Sequence, residues 1–188
     1  MKLRYFLLNK PYGVLCQFTG EEGDQLLGHL FPFPQDVYSV GRLDKDSEGL
    51  LLLTNDNDFK NKLLDPSQKK MKVYLVQVEG VITQEAISKL ESGMILINHN
   101  GKKHKVDKAT CKKVSSPDIW ERLPPIRFRS SIPTSWMELG ITEGKNRQVR
   151  KMTAAVGYPT LRLIRIRMGN YTLGDLKPGE VQEFFLKK

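Results

Sequence analysis

Hydrophobic and polar positions alternate along much of this chain, and the period changes from segment to segment. "KVYLVQVEG" alternates cleanly, with Val73, Leu75, Gln77 and Glu79 on one face and Tyr74, Val76 and Val78 on the other. That period predicts a strand. "RYFLLN" is a first strand, broken by Pro11 and Gly13, and "VLCQF" a second. "QLLGHLF" is a short helix at best, stopped by Pro32 and Pro34. "VYSVG" predicts a strand, and "GLLLLTN", with four consecutive leucines, a fully buried one. "DNDFKNKLL" reads as a helix capped by Asn55 or Asp56, with Pro66 beyond its end. "TQEAISKLESG" is a second helix, between a Thr83 cap and Gly93. Two short strands are expected around Ile95 and Ala109. "TSWMELGI" re-enters a sheet, "NRQVRKMTAAVG" is a helix ending at Gly157, and "PTLRLIRIRMG" and "GEVQEFF" are the last strands. Many strands, few helices and no βαβ alternation predict an α+β domain on a mostly antiparallel sheet.

The one irregular tract is "SSPDIWERLPPIRFRSSIPTSW", with four prolines, two tryptophans and the close pair Arg127 and Arg129. A loop this long in a small domain is usually functional or disordered. At 188 residues the chain is read as one domain spanning residues 1–188. No apolar run approaches the roughly 18 residues of a membrane span. The opening "MKLRYFLLNKPYG" lacks the cleavage pattern of a signal peptide. Cys16 and Cys111 have no metal or redox spacing, and free thiols in a cytoplasmic protein are the expectation.

Charge changes the picture more than composition does. Thirty basic against 21 acidic residues give a net charge of +9, which favours a polyanionic partner, most often nucleic acid. Between Lys145 and Arg167 stand seven basic residues and no acidic one. They are interleaved with apolar positions, so ordered structure holds them. Arg147, Arg150 and Lys151 are three and four apart and share a helical face, with Val149, Met152 and Val156 turned inward. Arg147 and Arg150 are candidates for nucleic-acid phosphates, and the loop with Arg127 and Arg129 is a candidate clamp. A second basic run, "KKHKVDKATCKK", is as compatible with a solvated face as with a binding surface. His29, His99 and His104 fit no ligand or triad spacing and read as surface or packing residues.

Candidate chemistry concentrates in "GRLDKDSEGLLLLTND". Asp44 follows Arg42 by two residues, just before the leucine run. It is either a turn aspartate with a surface ion pair or a carboxylate held ionised by a cation to act as nucleophile. Asp46 and Glu48 are close by. A carboxylate pair would suit a glycosidase, but no aromatic platform accompanies it, and calcium-loop spacing fails. Spacing alone does not choose the reactive group.

The same stretch resembles the active-site motif of RNA pseudouridine synthases, in the branch that modifies ribosomal RNA. "LLNKPYGVL", "KVYLVQVEG", "ITEGKNRQVRKM", "VGYPTLRLIRIRMG" and "LKPGEVQEF" follow in the family's order, so the resemblance covers nearly the whole chain. "PPIRFRSSIPTSW" is similar to the E subgroup of large-subunit enzymes. The resemblance implies a two-lobed catalytic fold with flanking helices and a central cleft. It implies no separate N-terminal RNA-binding domain. It implies Asp44 as catalytic aspartate, Tyr74 as the residue stacking on the target base, and Lys145 as the motif cation paired with Asp44. Arg42 would anchor the loop or a phosphate, and Leu161 or Leu163 would floor the pocket. The implied reaction is isomerisation of uridine to pseudouridine in 23S rRNA, free or in an assembling large subunit, without cofactor or metal; a monomer is the starting assumption, which no residue pattern supports. A flipped uridine costs a few kcal/mol of lost stacking, and an aromatic platform returns roughly 1–3 kcal/mol. Attack by Asp44 on the sugar carbon and attack on the uracil ring both stay open. The rival reading is a non-catalytic RNA-binding or ribosome-assembly factor on the same fold.

Overall fold

A computed structural model describes residues 2–126, 129 and 131–186. The chain divides into two compact units: residues up to Lys70 with those from Arg165 onward, and Met71–Ile164.

In the first unit, strand β1 (Tyr5–Lys10) lies between two partners. Short strands β2 (Val14–Leu15) and β3 (Gln25–Leu26) pair parallel, and β4 (Tyr38–Ser39) precedes β5 (Glu48–Thr54). β1 pairs antiparallel with β5, Phe6 opposite Leu53 and Leu8 opposite Leu51. Phe6, Leu8, Leu51 and Leu53 meet Val14, Leu27 and Val37 in one core, with Phe18, Phe31 and Phe33 packed against it. Leu50 and Leu52, on the other face of β5, are equally buried. Burial on both faces is why the leucines run on rather than alternate. Helix α1 (Asn57–Leu64) starts at Asp56, whose carboxylate accepts from the Phe59 N–H at 3.0 Å and from the Tyr5 hydroxyl at 2.7 Å.

The second unit is built on β6 (Lys72–Glu79), with Tyr74, Val76 and Val78 buried on the face anticipated from the alternation. Helix α2 (Gln84–Glu91) is capped by Thr83 and buries Ala86, Ile87 and Leu90. A hairpin follows, β7 (Leu96–His99) and β8 (Lys102–Lys105), and then β9 (Thr110–Val114). The hairpin turns at Asn100 and Gly101, both with positive φ (51° and 75°), the backbone a tight two-residue turn requires. β10 (Thr134–Ile141) pairs antiparallel with β6 on one side and β9 on the other. Helix α3 (Gln148–Ala155) buries Val149 and Met152 against the unit and ends before Gly157, where φ is +90°.

Strand β11 (Thr160–Met168) runs from the second unit into the first. There β12 (Tyr171–Thr172) pairs with it, and β13 (Val181–Phe184) pairs antiparallel with β1. The class is the α+β expected.

Several local expectations change. "VLCQF" gives only the two residues of β2, because Phe18 folds back to pack on Phe33 (ring centroids 5.8 Å apart). "QLLGHLF" is β3 followed by one 3-10 turn, Leu27–His29. The two strands expected near Ile95 and Ala109 are three. The extra one, "KKHK", has no apolar alternation and forms through its pairing with β7.

Candidate active site

Asp44 stands on the loop between β4 and β5, and backbone bonds shape that loop. Gly41 has φ +71°, the Val40 N–H donates to the Leu52 carbonyl at 2.7 Å, and the Ser47 N–H closes a turn onto the Asp44 carbonyl at 3.0 Å. The Gly13 N–H donates to the Lys45 carbonyl at 2.8 Å, tying the "NKPYG" turn to the same loop. Leu43 is buried, and its N–H donates to Cys16 Sγ at 3.2 Å. Asp44 itself is half-buried; Arg42 is exposed.

Beneath the loop lies a cation that composition and spacing did not single out. Lys10 is fully buried, and its ammonium donates to the carbonyls of Pro11 at 2.8 Å and Val14 at 2.7 Å. Burial pushes its pKa down to about 8, against the opposing pull of Cys16, Glu48, Asp46 and Asp44. It is therefore still mostly protonated at neutral pH, and the loop carboxylates feel a positive charge from below. Burial likewise pushes the Cys16 thiol up, while the Leu43 N–H and the charges of Lys10, Arg165 and Arg42 act the other way. Arg165 is buried, its Nε donating to the Leu50 carbonyl at 2.8 Å. The signal for Lys10 was a lysine closing a strand that, Asn9 apart, is apolar, "YFLLNK".

Gly49 makes this arrangement possible. Its φ is +100°, and a Cβ built there would run into the backbone carbonyl oxygen and nitrogen of Arg165. Only glycine permits so close an approach of two backbones.

The remaining predicted residues belong to the second unit. Tyr74 is 8% exposed on β6, opposite Leu139. Leu161 is half-buried and Leu163 buried, two apart on β11 and so on one face. Lys145 is half-buried in the turn that opens α3. Gln148 fixes that turn: its Oε1 accepts from the Lys145 N–H at 3.0 Å, and its own N–H donates back to the Lys145 carbonyl at 3.1 Å. Gln148 Nε2 in turn donates to Glu143 at 2.8 Å. Glu143 also accepts from the Asp107 N–H at 2.9 Å and lies 2.7 Å from His104 Nε2. Partial burial raises the Glu143 pKa, but these hydrogen bonds outweigh it and hold the group below its ordinary value. His104 thus has a defined partner rather than a purely surface or packing role. Glu143 and Gln148 were missed because their spacing matches no catalytic template.

Arg147 is exposed and left-handed (φ 52°) at the start of α3, and Arg150 is half-buried. Lys151 is pinned, its ammonium donating to the Asn98 carbonyl at 2.8 Å. Arg129 lies 3.4 Å from Glu79; Arg127 lies outside the described residues. Trp120 of the irregular tract is held by Arg162, which donates to its carbonyl at 2.9 Å and sits 5.6 Å from the centre of its ring.

Residues 4–155 match the family model described as RNA pseudouridylate synthase. "Ribosomal large subunit pseudouridine synthase E" of Vibrio parahaemolyticus is 47% identical over 183 residues, 97% of this chain and 74% of that protein. The protein of the same name from Xanthomonas campestris pv. campestris is 46% identical over 176 residues, 93% of this chain and 91% of its own. A solved structure titled "Crystal structure of pseudouridylate synthase" superposes with a TM-score of 0.77 at 27% identity, over 98% of this chain and 71% of that one.

Proposed function

The chain belongs to the RNA pseudouridylate synthase family, and on that premise we propose that it isomerises uridine to pseudouridine at a defined position in large-subunit ribosomal RNA. The observation that carries this reading is the near-half identity to large-subunit enzymes over almost the full chain, joined to a half-buried Asp44 on a loop backed by Lys10. In the reaction the bond between the sugar C1′ and uracil N1 breaks and a bond from C1′ to C5 forms. N1 gains a proton and C5 loses one, so mass is unchanged.

Asp44 is the nucleophile in this reading, supported by a loop that leaves its carboxylate accessible while the buried β5 holds the loop still. Tyr74 stacks on the uracil, and Lys145 is the motif cation. Leu161 and Leu163 give an apolar floor, and Arg42, Arg147 and Arg150 meet phosphates. The enzyme works in the cytoplasm, as a monomer, on rRNA or the assembling large subunit.

Asp44→Asn keeps the size of the side chain and removes the nucleophile. Incubated with large-subunit rRNA, the wild-type protein should convert one uridine, detected by chemical mapping of pseudouridine. The variant should convert none while binding the RNA within about threefold. Conversion by the variant at wild-type rate would refute the role of Asp44. Release of free uracil would indicate a glycosidase instead.

A further inference from the structure

The β7–β8 hairpin is the part of the second unit that the proposed chemistry leaves unused. From Met94 to Val106 the sequence holds three lysines and two histidines and no carboxylate. Pairing sorts these side chains by face. Ile97, opposite His104, is buried, as are the flanking Ile95 and Val106. Leu96 opposite Lys105, and Asn98 opposite Lys103, make up the outward face, where Leu96 is 54% exposed. Lys102, Lys103 and Lys105 are all exposed. Among the described residues none of the three forms an ion pair.

Three like charges on one short strand repel one another, and the Glu143 carboxylate is engaged by His104 and the Asp107 N–H rather than by any of the three lysines. The hairpin is nevertheless held in place. The Lys151 ammonium binds the Asn98 carbonyl of β7, and Glu143 holds both His104 of β8 and the Asp107 N–H just beyond it. The turn at Asn100 and Gly101 fixes the tip. A basic arm presented rigidly loses little ordering entropy when a polyanion arrives. It packs beside α3, at whose start Arg147 is also exposed.

We propose that the β7–β8 hairpin is a second RNA-gripping arm, with Lys102, Lys103 and Lys105 binding backbone phosphates of the ribosomal RNA away from the target uridine. This rests on the functional reading above for the identity of the RNA. Lys103 and Lys105 are two residues apart on a strand, about 7 Å by strand geometry, and their flexible stems adjust to successive phosphates.

The test measures affinity for a large-subunit rRNA fragment over about 50–300 mM salt. It uses three proteins: wild type, K102Q/K103Q/K105Q, and the control K62Q/K89Q/K177Q, which removes three exposed lysines from outside the hairpin. Neutralising three phosphate contacts should flatten the log–log salt slope by about two units, and lower affinity about tenfold or more near 100 mM salt. The single-turnover rate at saturating RNA should stay within about twofold, and thermal unfolding should match wild type. The control should keep the wild-type slope. An unchanged slope for the hairpin variant would overturn the proposal and leave the arm to an acidic protein partner. An equal loss in the control would also overturn it, reducing the effect to net charge. If the wild type converted no uridine, the functional reading would fail, while the slope comparison, which needs only binding, would still decide the arm.

Discussion

Lys10 shows how a single residue can charge a site from behind. A fully buried ammonium is costly, and its two carbonyl acceptors offset only part of that cost. Its folded pKa of about 8 against an ordinary 10.5 makes a claim about stability. Below pH 8 both folded and unfolded chains carry the proton, and the burial penalty is constant. Between about pH 8 and 10.5 the unfolded chain still binds the proton that the folded chain has lost, so this group raises stability as pH rises. The total is on the order of 3 kcal/mol. Urea denaturation of wild type and Lys10→Met at pH 7.5 and 10 tests this. The difference between the two proteins should move in favour of wild type at the higher pH. A constant difference would mean that Lys10 titrates normally.

At the scale of the element, α1 depends on one carboxylate used twice. Asp56 caps the helix at Phe59 and accepts from Tyr5 of β1. The Phe59 N–H first, and then Tyr5, hold its pKa below the usual carboxylate range, and burial and the same carboxylate push the Tyr5 hydroxyl up to about 12. Asp56→Ala should destabilise the protein by about 1–2 kcal/mol through the lost cap. Asp56→Asn, which still accepts from the N–H, should recover most of it. Equal losses in both variants, read from denaturation midpoints, would mean that the negative charge matters more than the cap. This cap was legible to within one residue, Asn55 or Asp56, and β5, β6, β10 and the limits of α2 were legible too, because each follows from a local period or a terminal residue. The hairpin strand "KKHK" was not, since its partner rather than its pattern makes it a strand. The stretch from Cys16 to Phe33 was misread for a related reason: its shape follows the packing of Phe18, Phe31 and Phe33 on the core, a tertiary fact. Of the candidate residues, Asp44 and Tyr74 carry roles that the family resemblance alone implies, while the alternation did put Tyr74 on the buried face of β6. Glu143 joins His104 and Asp107 from a segment far away in the chain, and Lys10 and Gln148 bind main-chain and side-chain groups of their own turns, which no hydrophobic period records.

For the whole molecule the governing quantity is the excess of nine positive charges, carried by a protein whose partner is a polyphosphate. If six or more phosphates are neutralised on binding, the log–log dependence of rRNA affinity on salt should have a slope of about −4 or steeper. Filter binding with the Asp44→Asn protein measures this without turnover. A slope near −1 would mean that base contacts dominate. Mutation meets one hard boundary in this architecture. Where β5 begins, two main chains approach so closely that the intervening residue has no room for even a methyl group. Natural variation can therefore tune most of the leucine-rich strand by degrees, but codon changes at position 49 offer no intermediate step, and drift toward new substrates has to route around it.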